Sequence, residues 1–111
     1  MSSYNTDLDK NAANYVPLTP LTFIKRAKEI YPDYEALIYE DRKYSWAEVY
    51  KRTDKFASAL SKAGIRKGDT VSFLAFNTPE IFEGHYSVPM TGAVLNTINI
   101  RLDAKTIAYI L

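Results

Sequence analysis

The sequence contains no cysteine and a single histidine, His85. Without cysteine, the chain cannot form disulfide bonds, thiolate metal sites or a cysteine nucleophile. A metal site made from other ligands needs several nitrogen or oxygen donors at short spacing, and a lone histidine does not supply them. The sequence therefore predicts neither a metal-binding site nor cysteine chemistry.

Long apolar runs and an excess of one charge are also missing. No apolar run reaches about 18 residues, so we expect no transmembrane segment. The formal net charge is +1, and both basic clusters, Lys25–Glu29 and Glu40–Lys43, contain acidic residues. Nine tyrosines and Trp46 could stack on bases, but Tyr31, Tyr39, Tyr44 and Trp46 fall at the edges of predicted elements, which is typical of rings that cover a core. Nucleic acid is therefore not an expected partner.

Only four glycines occur, and they form no phosphate-binding loop: Gly64, Gly68, Gly84 and Gly92. Neither the GxGxxG nor the GxxxxGK pattern is present. The end of a predicted helix explains Gly64, and a turn explains Gly68. The sequence therefore contains no recognisable nucleotide-binding loop.

Capping signals predict where the helices begin and end. The pair Thr19–Pro20 starts a helix that Pro32 stops. A capping box over Ser45–Glu48 starts a second helix, which ends at Gly64–Ile65 in a Schellman arrangement. Three further signals are Thr78–Pro79 as the start of a third helix, Pro89 as its kink or end, and Asp103 as the cap of a last helix.

Strands of two kinds are predicted. Glu35–Tyr39 and a return strand from Tyr44, joined by a turn at Glu40–Lys43, form a short hairpin. The segment Val71–Phe76 is apolar on both faces, which is typical of an internal strand of a parallel sheet. Ala93–Ile98 is a second, mainly apolar strand, and the helix between the two completes a βαβ unit.

The predicted fold class is α/β, with a partial, mainly parallel sheet, flanking helices and one short hairpin. Residues 1–18 are mainly polar and predict a flexible lead-in, and no linker divides residues 19–111. The last helix carries an apolar stripe around Ile107 that runs to Leu111 without a polar exit. A helix of about two turns needs something to pack on, so we expect a truncation at this end.

Two polar residues follow the predicted parallel strands. Asn77 stands just after the first strand, where ligands of α/β proteins bind, although it could equally satisfy amides of its own loop. Arg101 follows the second strand in the same way, and it could pair with Asp103 or with another part of the protein. Neither residue is assigned a function on this pattern alone.

The remaining titratable candidates have structural explanations. His85 stands alone on the apolar face of the third helix, which is typical of a hydrogen-bonded buried histidine and not of a base or a metal ligand. Glu80 and Glu83 lie one turn apart, and a cap role and solvation explain them. Glu48 is explained by its capping box. We therefore expect no paired carboxylates for acid–base catalysis.

Four segments in order carry a resemblance to a known family: Tyr44–Val49 (YSWAEV), Gly64–Val71 (GIRKGDTV), Asn77–Glu80 (NTPE) and Pro89–Leu102 (PMTGAVLNTINIRL). They are similar to the patterns (T/S)Y-x-E-L, G-(I/V)-x-x-G-D-x-V, N-x-x-E and G-A-V-x-x-x-(I/L)-N-x-R-L of the AMP-forming acyl-CoA synthetases, which belong to the adenylate-forming superfamily. In the first segment serine follows the tyrosine and valine replaces the leucine. The segment Leu95–Asn99 resembles the medium-chain fatty-acyl branch.

The resemblance implies a reaction for the whole protein. A small-molecule carboxylate would attack the α-phosphate of ATP with the help of Mg²⁺, giving an acyl-adenylate and pyrophosphate. Coenzyme A would then take the acyl group as a thioester, as in fatty-acid metabolism. The resemblance also implies that residues 19–111 are the N-terminal segment of the large domain of such a ligase.

Several functional parts of that family are absent from the four segments. They are the Ser/Thr/Gly-rich phosphate loop, the acidic residue for the ribose, the aromatic adenine motif and the lysine of the C-terminal domain. The resemblance therefore implies no catalytic, no cofactor-binding and no metal-binding residue in this sequence, and we expect the chain to be inactive alone.

Two other functions stay open. The chain could be a freestanding, non-catalytic interaction or regulatory module on the same scaffold, or a small nucleotide-binding domain that uses Asn77. As a ligase segment it would expose an incomplete sheet edge and an apolar stripe, so we expect self-association. The lack of cysteine fits a reducing compartment, and we expect the cytoplasm.

Overall fold

The computed structural model describes residues 6–111, and every structural statement below concerns those residues. Helices and strands are interspersed along the chain, which confirms the α/β class. In chain order the elements are α1 Pro20–Ile30, β1 Glu35–Tyr39, β2 Arg42–Ser45, α2 Trp46–Lys62, β3 Thr70–Phe73, α3 Pro79–Met90, β4 Val94–Thr97 and α4 Ala104–Ile110. Within the predicted lead-in, residues 6–7 form a bend and residues 12–14 form a turn, and the flexibility of this segment stays a prediction.

Side-chain caps fix the first two helices. In α1 the amide of Thr22 donates to Thr19 Oγ1 at 3.3 Å, and the amide of Thr19 donates back to Thr22 Oγ1 at 3.2 Å. In α2 the amide of Ser45 donates to Glu48 Oε2 at 2.8 Å, and the amide of Glu48 donates to Ser45 Oγ at 3.3 Å. The bond from the Ser45 amide, with a smaller contribution from the Ser45 side chain, lowers the pKa of Glu48. The predicted capping box is confirmed.

The end of α2 confirms the predicted Schellman motif. Gly64 has a φ of +100°, which favours glycine because a side chain there is strained. The amide of Ile65 donates to the carbonyl of Leu60 at 3.1 Å, and the amide of Gly64 donates to that of Ser61 at 3.1 Å. The chain is thereby turned toward β3.

The hairpin is tighter than predicted. β1 and β2 pair antiparallel, with Tyr39 opposite Arg42 and Ile38 opposite Lys43. The turn contains only Glu40 and Asp41, so β2 begins at Arg42 and not at Tyr44. Glu40 adopts a φ of +53°, which closes the turn in two residues and lets the next residue pair at once.

The βαβ unit is confirmed, with a correction to its first strand. β3 and β4 run parallel, from Thr70 opposite Val94 to Phe73 opposite Thr97. β3 ends at Phe73 and not at Phe76, because β4 offers no partner beyond Thr97. It is also not buried on both faces: its odd-numbered residues are half-buried and its even-numbered residues are exposed. Helices cover one face, and in the described part of the chain no second layer covers the other.

The core lies where α1, α2 and α3 pack against one another and extends to the parallel pair. Ile24 of α1, Val49 of α2 and Val88 of α3 are each at most 1% exposed. The ring of Phe73 is held edge-to-face against Phe56, with 5.9 Å between the ring centroids. This packing places the carboxyl ends of β3 and β4 at one edge of the molecule.

The last helix contributes little to this core. The amide of Thr106 donates to Asp103 Oδ1 at 2.7 Å, as the predicted cap requires, and this bond lowers the pKa of Asp103. No residue of α4 is buried. Among the described helices, none combines the length and the apolar character needed to cross a membrane.

Candidate functional site

A crevice of about 520 Å³ lies at the carboxyl ends of β3 and β4. We call it the strand-end crevice, and its polar lining residues are Asn77, Thr97, Asn99 and Arg101. The crossover topology sets this location, since loops that follow parallel strands emerge at the same edge of the sheet. The structure thus brings Asn77 and Arg101 together, and it adds Asn99, which the sequence reasoning missed.

Tight local bonds shape both loops of the crevice. The amide of Thr78 donates to the carbonyl of Phe76 at 2.8 Å, so the chain turns sharply at Asn77 before α3 begins. In the other loop the amide of Arg101 donates to Asn99 Oδ1 at 2.9 Å. This Asx-type bond, which a polar residue two positions before Arg101 could have signalled, orders the backbone around Arg101.

Two alternatives drawn from the sequence are not seen in residues 6–111. Arg101 makes no ion pair with Asp103 there, because that carboxylate caps α4 instead. The side chain of Asn77 makes no hydrogen bond to an amide of its own loop within the same residues. Both side chains are in exposed residues and are available to a ligand.

The charge of the strand-end crevice suits an anion. Among its lining residues in the described chain, Arg101 is the one with a formal charge, and none is acidic. A guanidinium presents a planar set of donors that matches phosphate or carboxylate oxygens, and the amides of Asn77 and Asn99 can add neutral donors. The apolar side, which includes Phe76 and Ile98, could contact a ring or a chain of the same ligand.

His85 is not where the sequence placed it. The buried residues of α3 are Pro79, Glu83, Gly84, Ser87 and Val88, and His85 is exposed. The helical phase was misjudged because a carboxylate and two small residues share the packed side with Val88. His85 Nδ1 donates to the carbonyl of Ile81 at 2.7 Å.

A second cleft, of about 460 Å³, separates the hairpin from α3. Its walls are mainly apolar and include Leu37, Tyr39 and Phe82, and His85 lies among the lining residues. In residues 6–111 no group of three or more histidine, aspartate or glutamate side chains could hold a metal ion. This cleft therefore presents a lone imidazole beside an apolar wall.

Glu83 joins α3 to α2 through an ion pair. Its side chain is 5% exposed and receives two bonds from Arg52, one from Nε and one from Nη2 at 3.2 Å. The guanidinium of Arg52 also lies 4.7 Å from the ring centroid of Tyr44. The interpretation of Glu83 as a solvated residue is wrong. Its spacing from Gly84 and Ser87 on one face of the helix was the missed signal.

Glu80 has a partner in the hairpin. Arg42 Nη1 lies 2.8 Å from Glu80 Oε1, and Arg52 Nη2 lies 3.8 Å from the same oxygen. The hydrogen bond from Arg42 is the main reason that the pKa of Glu80 is lowered to about 2, with smaller contributions from Thr78 and the amide of Glu80 itself. The same bond raises the pKa of Arg42. Glu80 is therefore ionised at neutral pH and tied to a second element.

Known proteins of similar sequence include CoA ligases. At the level of sequence, acetate–CoA ligase CCL3 of Humulus lupulus is 50% identical over 105 residues, which cover 95% of this chain and 18% of that protein. The peroxisomal butyrate–CoA ligase AAE11 of Arabidopsis thaliana is 54% identical over 99 residues, covering 89% of this chain and 17% of that protein. This chain thus spans less than a fifth of the length of these curated relatives.

Solved structures share the fold. O-succinylbenzoate coenzyme A synthetase of Bacillus subtilis, solved with ATP and a magnesium ion, matches with a TM-score of 0.76 and 26% identity over 80% of this chain and 24% of that chain. The N-terminal subdomain of Klebsiella oxytoca NpsA matches with a TM-score of 0.78 at 24% identity, over 83% of this chain and 24% of that chain. At this sequence identity, the similarity to NpsA is evidence for the fold alone.

The family assignment rests on a match that runs through all three core helices and the βαβ unit. The pattern of the AMP-binding enzyme family matches residues 24–111, from the buried Ile24 of α1 to the end of α4. The resemblance noted in the sequence is confirmed by this match and by the ligases above. The chain belongs to the AMP-binding enzyme family.

Proposed function

We propose that this chain serves as an N-terminal segment of a carboxylate–CoA ligase. The whole protein would join a carboxylate to AMP at the expense of ATP and then transfer the acyl group to coenzyme A. The family match over residues 24–111 carries this proposal. It is supported by relatives described as acetate–, butyrate– and benzoate–CoA ligases, of which this chain spans 17–18%.

The chain is proposed to contain no catalytic residue. Within residues 6–111 the carboxylates that the structure describes serve as caps or ion-pair partners, or lie outside the strand-end crevice. These residues contain no group of three or more histidine, aspartate or glutamate side chains that could hold a metal ion, and the proposal assigns Mg²⁺ to none of them. ATP, Mg²⁺ and coenzyme A are cofactors of the whole protein.

A segment exchange tests this function. Residues 24–111 would replace the matching part of the hop acetate–CoA ligase, and acyl-CoA formation would be followed by thioester absorbance. We expect the hybrid to work within about tenfold of the hop enzyme and the isolated chain to release no pyrophosphate from ATP and acetate. Acyl-adenylate formation by the isolated chain, or a hybrid that is folded and inactive, would contradict the proposal.

The substrate is proposed to be a small carboxylic acid. The relatives that support this are described as acting on acetate, butyrate, benzoate and trans-cinnamate. The medium-chain preference suggested by Leu95–Asn99 stays a prediction. The hybrid enzyme, assayed with acids of increasing chain length, would show whether this segment shifts the preference of the hop enzyme.

A second candidate function, phosphate binding, is favoured by the meeting of Asn77, Asn99 and Arg101 in the strand-end crevice. We propose that this crevice binds a phosphate group of coenzyme A or ATP. This goes beyond the expectation from the sequence that no residue of the chain binds a cofactor. The specific observation is an exposed guanidinium beside two amides, with no acidic residue among the described lining.

Calorimetry on the chain distinguishes the sources of that phosphate. Coenzyme A, ATP and inorganic phosphate would be titrated separately. We expect Arg101→Met to weaken binding of the favoured ligand by about tenfold or more, and Lys105→Met, which removes an exposed positive charge in α4, to change it little. Equal effects of the two substitutions would contradict a site at Arg101.

Self-association is proposed for the chain on its own. Part of its described surface is apolar, since Leu74, Val94 and Leu111 are each more than half exposed. Such surfaces are commonly buried by a second copy.

The cytoplasm is the proposed location. The absence of cysteine fits a reducing compartment, and no helix among the described residues could cross a membrane. Several relatives are described as peroxisomal, so the peroxisome is the competing location. Imaging of a fluorescent fusion of the whole protein with a peroxisomal marker would decide between the two.

A further inference from the structure

One carboxylate joins three elements beside the strand-end crevice. Glu80 of α3 is 2.8 Å from Arg42 of β2 and 3.8 Å from Arg52 of α2. Arg42 also lies over the ring of Tyr39, with 5.2 Å from its guanidinium carbon to the ring centroid. The first turn of α3 is therefore held from two sides.

The position of Glu80 links this cluster to the crevice. Glu80 is the second residue of α3, and Asn77 precedes it by three positions. Thr78 is the N-cap residue, but its side chain makes no capping bond to a helix amide. A negative charge in the first turn is favoured by the exposed amides there, and Glu80 supplies it. The residue that stabilises the start of α3 is thus also its anchor to the hairpin.

We infer that Glu80, together with Arg42, is a positioning residue for the strand-end crevice. It holds the first turn of α3 against the hairpin and thereby fixes Asn77 opposite the loop that carries Arg101. Its effect on ligand binding rests on the phosphate-binding function proposed above. Its effect on the position of Asn77 does not depend on that function.

The Arg42–Glu80 pair differs from an ordinary surface ion pair such as Lys43–Glu35. Lys43 and Glu35, on the same hairpin, are 3.0 Å apart, and both side chains are more than half exposed. They connect two strands that are already paired by their backbones. Arg42 and Glu80, by contrast, are separated by 38 positions in sequence and connect elements that share no ladder. Lys43→Met is therefore a matched control for Arg42→Met.

Nuclear magnetic resonance of the chain tests the positioning directly. In Glu80→Gln and Arg42→Met we expect shifted signals of the Asn77 side-chain amide. We also expect about tenfold faster hydrogen exchange at the amides of Thr78 and Phe82, which donate to Phe76 and Thr78 in the first turn. Arg42→Lys, which keeps the positive charge, should restore most of the protection, and Lys43→Met should change nothing near Asn77.

Titration with coenzyme A separates positioning from stability. We expect Glu80→Gln to weaken binding several-fold at a temperature where circular dichroism shows the chain fully folded, and Arg101→Met to weaken it more. Unchanged signals of Asn77 and unchanged exchange in Glu80→Gln would overturn the inference. A shifted Asn77 with unchanged affinity would overturn its functional part. Lack of binding of both coenzyme A and ATP by the parent chain would overturn the crevice function and leave the exchange rates to judge the positioning.

Discussion

At the scale of single residues, Gly84 shows how closely α3 approaches the sheet. A Cβ atom at this position would lie 2.8 Å from Cζ of Phe73, which is below any normal contact distance. The ring cannot retreat freely because Phe56 packs against it. The glycine is therefore required by packing and not by backbone conformation.

We predict that Gly84→Ala destabilises the chain by about 1–3 kcal/mol. At an exposed helical site the same substitution would stabilise by about 1 kcal/mol, so the sign itself is informative. Urea unfolding measures the difference in the free energy of unfolding. In a Phe73→Leu background, where the ring is gone, most of the penalty should disappear; an unchanged penalty would place the clash elsewhere.

The acid sensitivity of the chain is predicted from Glu80. Its pKa is about 2 in the folded chain, against an ordinary value of 4.5. Because the folded-state pKa is lower, the unfolded chain takes up the proton first as the pH falls. The stabilisation is therefore complete above about pH 4.5 and is lost progressively toward pH 2. Since half of the Glu80 side chain is exposed, the loss should be about 1 kcal/mol or less.

Comparison with Glu80→Gln isolates this contribution. Glu48 and Asp103 also have lowered pKa values, so the wild-type chain loses stability in acid for several reasons. The difference in the free energy of unfolding between wild type and Glu80→Gln should shrink as the pH falls from about 5 toward 2. A difference that stays constant over this range would exclude the ion pair as its cause.

At the scale of elements, the contact between α2 and α3 depends on a charged pair and not only on apolar packing. Val49 and Val88 are buried there, but so is the carboxylate of Glu83, whose charge is balanced by Arg52. Thr53 and Ser87 are fully buried as well, and their hydroxyl groups have no hydrogen-bond partner within the described residues. The interface therefore already contains two unpaired hydroxyl groups, and we expect loss of the Arg52–Glu83 ion pair to destabilise it.

We predict that Glu83→Ala costs about 2–3 kcal/mol in the free energy of unfolding. A fully buried pair would cost roughly 3–5 kcal/mol when broken, but Arg52 is 38% exposed and can turn its charge to water. Glu35→Ala, which breaks the exposed pair with Lys43, should cost less than about 1 kcal/mol. Similar losses in the two variants would contradict the buried character of the first pair.

At the scale of the whole molecule, the uncovered apolar surface predicts the behaviour of the isolated chain. Tyr109 is 90% and Leu111 is 76% exposed, and β3 and β4 each pair with only one strand in the described residues. We predict concentration-dependent oligomers in light scattering coupled to size-exclusion chromatography.

The double substitution Tyr109→Ser and Leu111→Ser should shift the isolated chain toward monomer. Phe23→Ser is a suitable control, because it removes an exposed aromatic residue (55% exposed) from the opposite part of the sequence. Only monomer for the wild-type chain at high concentration would contradict the prediction. Equal shifts in both variants would argue against a specific role of the last helix.

Much of the fold follows from local signals in the sequence. The caps at Thr19, Ser45 and Asp103 were predicted because a side chain and an amide three positions apart interact in any context. The βαβ unit followed from its apolar pattern, and the family from the order of its motifs. These features depend on neighbours in the chain, so the sequence by itself determines them.

Only the tertiary structure decided that Glu83 is buried and that His85 is exposed. The face of α3 that is packed is set by contacts with Arg52 and Phe73, which lie in other elements. The same holds for the early end of β3, which is set by the length of β4. The strand-end crevice could be anticipated at Asn77 and Arg101, but their meeting depends on the parallel pairing of two strands. Long-range contacts choose among arrangements that are locally equivalent, and a local pattern cannot rank them.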